Sequence, residues 1–350
     1  MSAGPTIALD AMGGDRAPDM VVAGAADAAA RYPHARFLFF GDKSRVEPLV
    51  AAQSRLVGVS QVRHTDEAIA GEDKPSQALR KGRNSSMRLA IDAVAANEAA
   101  GIVSAGNTGA LMAMSKFVLR TLPGIERPAI CSTFPTVRGE TVMLDLGANV
   151  ECDANNLVQF AVMGANFAHT VLGRIKPTVG LLNVGSEELK GNDAVRTAAD
   201  MLRDASGLAF EFHGFIEGDD IGKGTVDVVV TDGFTGNIAL KTMEGTARLI
   251  TTFLNGAFRR SLFSRLGYLL ARPALNALRQ GLDPRQYNGG VFLGLNGIAV
   301  KSHGGTDATG FAAAISLAID MCAERMIEQI VADFARFNAG MTPDLKTAAT

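Results

Sequence analysis

Short apolar stretches that end in Gly, Asp, Ser or Asn recur along the chain, and most of them are followed by a segment with helical periodicity. The first strands are predicted over residues 6–10 and 36–40, and the first helices over residues 18–32 and 46–54. Continuous aliphatic and aromatic runs of this length are typical of strands buried on both faces. Strands that alternate with helices in this way predict a parallel sheet with right-handed crossovers.

The pattern continues to the end of the chain. It predicts strands over residues 101–104, 130–134, 141–146, 178–184, 210–212, 226–231, 291–293 and 297–301, and helices over residues 89–98, 110–119, 156–172, 193–204, from 238 onward and 310–337. The predicted fold class is α/β, an open and mostly parallel sheet with helices on both faces. We expect residues 1–340 to form a single large catalytic domain and residues 341–350 a flexible tail.

The stretch over residues 226–245, VDVVVTDGFTGNIALKTMEG, combines a buried strand, a tight turn and the start of a helix. Backbone N–H groups at such a corner point beyond the carboxyl end of the strand, where open α/β sheets bind ligands. These groups suit an anion best. The alternative is an ordinary turn with a polar cap.

Four further turns of this kind follow predicted strands, over residues 10–15, 106–109, 145–149 and 183–187. Because we expect the carboxyl ends of the strands of one sheet to converge, the five turns predict one shared phosphate site. The predicted substrate-binding residues are Asp10, Gly13, Gly14, Asn107, Thr108, Gly109, Asn183, Thr235, Gly236 and Asn237.

The predicted catalytic residues are Lys190, Lys301, His303 and Asp232. Lys190 lies just past a strand end in a Gly/Asn loop, so it is the preferred electrostatic stabiliser, with Lys301 and His303 in reserve. Asp232 is expected to organise its turn, and a general-base role is the less favoured reading. The alternative for each lysine is a solvated surface position, and for His303 a structural role.

Composition excludes several function classes. The chain has 34 Lys and Arg against 36 Asp and Glu, a formal net charge of −2 that disfavours nucleic-acid binding. Its three cysteines are far apart and its histidines lack metal-ligand spacing, so we expect no metal. No GxGxxG or GxSxG motif is present, so we expect no cofactor. The absence of a signal-peptide pattern and of a long apolar run predicts a cytoplasmic protein.

Leu, Phe and Arg alternate over residues 249–278, which contain no acidic residue. This composition predicts a basic amphipathic helical insert at about residues 249–280, of the kind that lies on a membrane surface. The predicted membrane contacts are Leu262, Phe263 and Leu266. The alternative is that one face of the insert is buried on the core or across a dimer.

Eight stretches resemble, in order, the bacterial phosphate acyltransferase family PlsX, the acyl-ACP:phosphate transacylases. They are IALDAMGGD (7–15), SSMRLAIDAV (85–94), IVSAGNTGALMA (102–113), RPAI (127–130), LDLGANVECDANNLVQFAVMG (144–164), VGLLNVGSEELKGND (179–193), GFIEGDDI (214–221) and VDVVVTDGFTGNIALKTMEG (226–245). The resemblance covers about residues 6–335.

The resemblance implies that inorganic phosphate attacks the thioester of a fatty acyl-ACP, giving acyl phosphate and free acyl carrier protein (ACP) for phospholipid synthesis. It also implies a fold similar to the phosphate acetyltransferase and isocitrate/isopropylmalate dehydrogenase group. The family is typically a homodimer at the membrane surface, where the downstream acyltransferase is a further possible partner.

This chemistry suits a site that holds phosphate and stabilises an oxyanion, because a thiolate with a pKa of about 8.5 leaves without strong acid help. Since ACP is acidic, Arg80, Lys81, Arg83 and Arg88 are the predicted docking residues, against the alternative of a solvated basic loop. Two other enzymes remain as alternatives: a CoA-dependent phosphate acyltransferase and, less favoured, an NAD(P)-dependent dehydrogenase on a related fold. A non-catalytic membrane scaffold is the third alternative.

Overall fold

The computed structural model describes residues 4–281 and 289–340. The strands are β1 (Thr6–Asp10), β2 (Arg36–Gly41), β3 (Ser60–His64), β4 (Gly101–Ser104), β5 (Ala129–Thr136), β6 (Gly139–Leu144), β7 (Thr178–Leu182), β8 (Glu211–Ile216), β9 (Val228–Val230), β10 (Gly290–Leu293) and β11 (Ile298–Lys301). The helices are α1 (Asp19–Arg31), α2 (Lys43–Ala51), α3 (Pro75–Lys81), α4 (Ser86–Ala95), α5 (Thr108–Leu119), α6 (Ala154–Leu172), α7 (Asp193–Asp204), α8 (Gly218–Lys223), α9 (Gly233–Arg259), α10 (Leu262–Gly281), α11 (Ala308–Ala323) and α12 (Met326–Gly340).

The described strands form one sheet in the order β3-β2-β1-β4-β11-β10-β5-β6-β9-β7-β8. Pairing is parallel from β3 to β11 and again from β6 to β8, and it is antiparallel at β11–β10, β10–β5 and β5–β6. Three antiparallel steps reverse the direction, so β6, β9, β7 and β8 run opposite to β1 and β4. The predicted mostly parallel α/β sheet is therefore confirmed, and it consists of two halves of opposite direction.

Helices pack on both faces of this sheet. Ile7 and Leu9 of β1 belong to one buried apolar cluster, and Ala8 between them belongs to another. Alternate residues of a strand point to opposite faces, so each cluster marks one covered face. Helix α6 is the most deeply buried helix, with apolar residues from Leu157 to Phe167 inside the first cluster. Burial on both faces is what a buried parallel sheet requires.

Most of the predicted elements are present, and the exceptions have physical reasons. β3, α3 and α8 were not predicted, because each is short and rich in polar residues. The single helix predicted over residues 310–337 is wrong: α11 ends at Ala323, and Arg325 has a φ of 52°. A left-handed residue cannot continue an α-helix, so α12 begins as a separate helix.

The basic amphipathic segment is helical, but it does not begin as an insert. Helix α9 starts at Gly233 and runs without a break to Arg259, and α10 follows at Leu262. The predicted helix start at residue 238 is therefore five residues late, because Asp232 caps the helix through its side chain. The tail predicted over residues 341–350 lies outside the described residues.

Candidate active site

Asp10 is a buried carboxylate at the end of β1 around which three elements meet. It is 1% exposed. Its two carboxylate oxygens accept hydrogen bonds from the hydroxyls of Ser86 on α4, at 2.6 Å, and Ser104 on β4, at 2.7 Å. Burial raises the pKa of Asp10, and the hydrogen bonds from Ser104 and Ser86 oppose this rise. The carboxylate thus organises the ends of β1 and β4.

The glycines next to Asp10 let two turns approach each other closely. A Cβ atom on Gly13 would overlap the Asp10 carboxylate and come within 2.8 Å of the backbone nitrogen of Gly106. Gly14 has a φ of 102°, which favours glycine. The predicted binding residues Gly13 and Gly14 therefore shape the turn, and the N–H of Gly13 donates to the carbonyl of Asp10 at 3.4 Å.

Lys301 is the last residue of β11, which pairs with β4, and His303 lies two residues beyond it. The Lys301 Nζ lies 3.5 Å from the carbonyl of Ala105, and it also donates to the carbonyl of Ser302. Burial lowers the pKa of Lys301 to about 8, although the carboxylates of Asp10 and Asp15 act in the opposite direction. His303 is exposed, and its Nδ1 accepts from the N–H of Gly305 at 3.3 Å.

Asn107 is the N-cap of α5, and both ends of its amide side chain are occupied. The Oδ1 atom accepts from the N–H of Ala110, and the Nδ2 group donates to the carbonyls of Ala70, Gly71 and Asp73. Its side chain therefore ties a loop to the helix instead of pointing a free donor at a ligand. Within the described residues, the first-turn N–H groups of Thr108 and Gly109 have no acceptor.

A second buried carboxylate, Asp145, ends β6. It is 0% exposed and accepts from the backbone N–H groups of Ile130, Gly147, Ala148 and Asn149. Burial raises the pKa of Asp145, and the N–H groups oppose this rise. Asp145 thereby holds the turn after β6 against the start of β5.

The turn after β9, where the sequence predicted an anion site, is largely filled by its own groups. Asp232 accepts from the N–H of Thr235 at 2.8 Å and from its hydroxyl at 2.9 Å. A Cβ atom on Gly236 would overlap the carbonyl oxygen of Asp145. Gly236 therefore permits close packing of α9 against Asp145, and the carboxylate of Asp232 accepts both donors of Thr235.

Three further predicted residues lie near the turns after β6, β9 and β7: Asn237, Asn183 and Lys190. Asn237 is exposed and donates through Nδ2 to the carbonyl of Leu146 at 3.1 Å. Asn183 closes the loop after β7 by donating to the carbonyl of Lys190 at 3.1 Å. Lys190 itself is exposed, and among the described residues no carboxylate pairs with its ammonium group.

The predicted residues thus form two groups. The Asp10 group contains Asp10, Gly13, Gly14, Asn107, Thr108, Gly109, Lys301 and His303; the Asp145 group contains Asp145, Asn183, Lys190, Asp232, Thr235, Gly236 and Asn237. β6, β9 and β7 run opposite to β1, β4 and β11, so the carboxyl ends of the two sets do not lie side by side, and β10 and β5 separate them. That all these strand ends converge on one site stays a prediction. The strands β11 and β6 are three spacings apart, about 14 Å.

Three of the four predicted docking residues have exposed charged groups that no described carboxylate pairs with. Arg80, Lys81 and Arg83 are exposed, and none of them pairs with a carboxylate in the described part of the chain. Arg88 differs, because its Nε lies 2.8 Å from Asp92 and its guanidinium lies over the ring of Phe117. Arg88 is therefore engaged within the protein.

The predicted membrane contacts lie at the start of α10. Phe263 is 89% exposed and Leu266 is 57% exposed. The side chain of Leu262 lies outside the described residues. Among the described helices, none is long and apolar enough to span a bilayer.

The sequence interpretation included the turn over residues 145–149 but gave no role to its individual residues, and it missed Ser86 and Ser104. Ser86, Ser104, Asp145 and Asn149 are all buried and all bond to a central carboxylate or belong to one. The signal was present, since each lies in one of the stretches that resemble the family. No grouping of three or more His, Cys, Asp or Glu side chains suited to a metal occurs in residues 4–281 or 289–340.

The fold of this chain is similar to that of phosphotransacetylases and of a 4-hydroxythreonine-4-phosphate dehydrogenase of known structure. It is similar to the EutD phosphotransacetylase of Staphylococcus aureus, with a TM-score of 0.59 at 17% identity over 92% of this chain and 94% of that one. It is also similar to a Salmonella typhimurium protein assigned as a 4-hydroxythreonine-4-phosphate dehydrogenase, with a TM-score of 0.54 at 14% identity over 91% and 100% of the two chains.

Sequence comparison is more specific. The model of the fatty acid synthesis protein family matches residues 5–329. The chain is 65% identical to a phosphate acyltransferase of Rhodospirillum centenum over 96% of this chain and 94% of the relative. It is 61% identical to one of Paramagnetospirillum magneticum over the full length of both. The chain belongs to this family of phosphate acyltransferases, as its motifs predicted.

Proposed function

We propose that this chain transfers a fatty acyl group from acyl carrier protein to inorganic phosphate, releasing acyl phosphate for phospholipid synthesis. The observation that carries the proposal is the Asp10 group. Three adjacent strand ends there bring together a glycine-rich turn, unpaired helix N–H groups and the half-buried ammonium of Lys301. Such donors hold an anion.

The reaction asks little of the protein beyond placement and charge. An oxygen of phosphate attacks the thioester carbonyl carbon, the C–S bond breaks, and ACP leaves as the thiolate. Holding the two reactants together supplies much of the rate, and a cation beside the developing oxyanion supplies more. In this scheme Lys301 and the N–H groups of Thr108 and Gly109 hold phosphate, and Lys190 stabilises the carbonyl oxygen.

Sheet twist favours cooperation between the two groups. Five strand steps separate β4 from β9. At roughly 20–25° per step, the accumulated twist is about 100–125°. Strand ends that would point in opposite directions in a flat sheet are then only about 55–80° apart in direction. We infer that both groups border one cleft over β10 and β5, and that the thioester lies across it.

We infer that an acidic carrier docks beside this cleft, on Arg80 and Lys81 at the end of α3 and on Arg83 just beyond it. Helix α3 packs against α5, and Pro75 lies so close to Gly109 that a Cβ atom there would stand 2.6 Å from its Cγ. Arg80, Lys81 and Arg83 are therefore near the Asp10 group and exposed. Charge complementarity with acidic ACP supports docking at this place.

The exposed surface of α9 and α10 supports a membrane-facing, dimeric arrangement. Large apolar side chains on these two helices are exposed: Leu249, Ile250, Phe253, Leu254, Phe263, Leu266, Leu269 and Leu270. Exposed Arg259, Arg260 and Arg265 lie at the turn between the helices. We infer that the turn contacts anionic lipid at the cytoplasmic membrane surface, and that a second copy covers apolar surface farther along the pair.

The test is to incubate the protein with palmitoyl-ACP and inorganic phosphate and to measure acyl phosphate and free ACP. We expect both to form, with palmitoyl-CoA turned over much more slowly. Faster turnover of palmitoyl-CoA would favour the CoA-dependent alternative. A nicotinamide-dependent absorbance change with no acyl phosphate would replace the proposal with a dehydrogenase.

A further inference from the structure

We infer that Arg196 and Asn183 are positioning residues for Lys190, holding the loop that presents its ammonium to the thioester. This inference rests on the proposed function. It assigns a role to Arg196, which is not one of the predicted site residues. The loop in question, the Lys190 loop, comprises residues 183–192 between β7 and α7.

Side chains hold three consecutive carbonyls of this loop. The Arg196 Nη1 donates to the carbonyl of Gly191 at 2.9 Å and to that of Leu189 at 3.5 Å. Asn183 donates to the carbonyl between them, that of Lys190. The N–H of Lys190 in turn donates to the carbonyl of Glu187 at 3.0 Å. The backbone of Lys190 is thus bonded on both sides, while its side chain extends into solvent.

Burial does not hold the Lys190 loop. Its two large apolar side chains point outward, since Val184 is 78% exposed and Leu189 is 89% exposed. Gly191 has a φ of 91°, and a Cβ atom on it would overlap the Asn183 side chain. A loop without apolar anchors depends on its polar contacts for a defined position, which makes the bonds from Arg196 and Asn183 decisive.

The location of Arg196 also suggests a role outside its own helix. It is in the first turns of α7, where the helix dipole disfavours a cation. Asn192 already caps α7 by accepting from the N–H of Val195 at 2.9 Å, so the helix start does not need the guanidinium. The side chain instead turns back to the loop, with one Nη2 contact to Asp193.

The experiment is a double-mutant cycle in the full chain with Arg196→Met and Lys190→Met, using the palmitoyl-ACP and phosphate assay. We expect Arg196→Met to lower kcat about 10- to 100-fold with little change in KM for palmitoyl-ACP, because a displaced lysine loses an interaction made in the transition state. In the Lys190→Met background, Arg196→Met should have almost no further effect. Arg196→Lys should restore part of kcat, since it can still reach one carbonyl.

Arg203→Met is the matched control. Arg203 is on the same helix with a side chain 38% exposed, against 40% for Arg196, and its contact to the loop is a 4.0 Å pair with the exposed Glu188 side chain. We expect wild-type kcat for this variant. Far-ultraviolet circular dichroism of all variants should match wild type, which separates loss of position from loss of fold.

Several results would overturn the inference. If Arg196→Met lowered kcat by the same factor in the wild-type chain and in the Lys190→Met variant, Arg196 would not act through Lys190. Wild-type kcat in Lys190→Met would remove Lys190 from the reaction while leaving the proposed function intact. Failure of the wild-type chain to form acyl phosphate at all would instead remove the proposed function, and the inference with it.

Discussion

At the scale of single residues, burial sets the chemistry of the Asp10 group. Asp10 and Lys301 carry opposite charges and are both shielded from water. Burial raises the pKa of Asp10 and lowers the pKa of Lys301, which in both cases favours the neutral form. The pKa of about 8 for Lys301 means that its charge changes within the working range of an enzyme. The group that we propose to hold phosphate therefore also contains a lysine whose charge depends on pH.

The pH dependence of phosphate use tests this directly. Lys301 is charged below pH 8 and neutral well above it, so kcat/KM for phosphate should fall as pH rises through about 8. Lys301→Arg keeps its charge throughout this range. The ratio of wild type to Lys301→Arg, in which the titration of phosphate itself cancels, should therefore fall about tenfold per pH unit above 8.

Lys116→Arg, at an exposed position on α5, is the control and should give a flat ratio. A flat ratio for Lys301→Arg as well would contradict a phosphate-binding role for Lys301.

Charged residues of the Asp10 group could be predicted from the sequence, whereas the residues that hydrogen-bond to them could not. Asp10, Lys301 and the glycine-rich turn are visible as polar residues at the end of an apolar run. Ser86 and Ser104 are not, because their bonds to Asp10 join positions 76 and 94 residues apart. Nor could sequence show that the amide of Asn107 is already occupied by three carbonyls of another loop.

At the scale of elements, one capping residue decides where α9 begins. The sequence interpretation treated residues 232–237 as a turn because they contain two glycines, Thr and Asn. In the structure Asp232 caps the helix, so the same residues form its first turn. Thr235, predicted there as a binding residue, donates to the carboxylate of Asp232, and the two glycines pack closely against residues 145–149.

Two glycines of α9 should respond in opposite ways to the same substitution. Gly236→Ala places a Cβ atom against the carbonyl of Asp145, whereas a Cβ atom on Gly245 meets nothing within 4 Å. We expect Gly236→Ala to lower the free energy of unfolding by about 2–3 kcal/mol through overpacking. Gly245→Ala should raise it by about 0.5–1 kcal/mol, because alanine loses less entropy in a helix. Guanidinium denaturation measures both, and similar effects of the two would contradict the packing at Gly236.

At the scale of the whole molecule, the reversal of strand direction at β5 and β6 decides how the site is built. Strands were predicted over residues 130–134 and 141–146, and in the structure β5 and β6 pair there as an antiparallel hairpin. Its consequence, that the strands of the second half run opposite to β1 and β4, depends on counting antiparallel steps across strands distant in sequence. The place of β10 between β11 and β5 supplies two of those steps and could not be read from local pattern.

The exposed surface of α9 and α10 predicts membrane binding at this scale. Replacing Phe263 and Leu266 together by Ser should reduce binding to vesicles of anionic phospholipid at least tenfold, because about 1.5–3 kcal/mol of burial is lost per side chain. Turnover of palmitoyl-ACP without vesicles should be unchanged. Val137→Ser removes another apolar side chain, 90% exposed in the β5–β6 turn, and should leave vesicle binding as it is. Full binding by the Phe263 and Leu266 variant would contradict a membrane contact at this turn.

The most direct test of the proposed reaction uses phosphate labelled with ¹⁸O at all four oxygens. The mass of the acyl product is then measured by mass spectrometry. If a phosphate oxygen attacks the thioester, acyl phosphate carries all four labels, one of them bridging carbon and phosphorus, and ACP appears in equal amount. Unlabelled fatty acid in place of acyl phosphate would mean that water is the nucleophile, and would contradict phosphate acyl transfer by this chain.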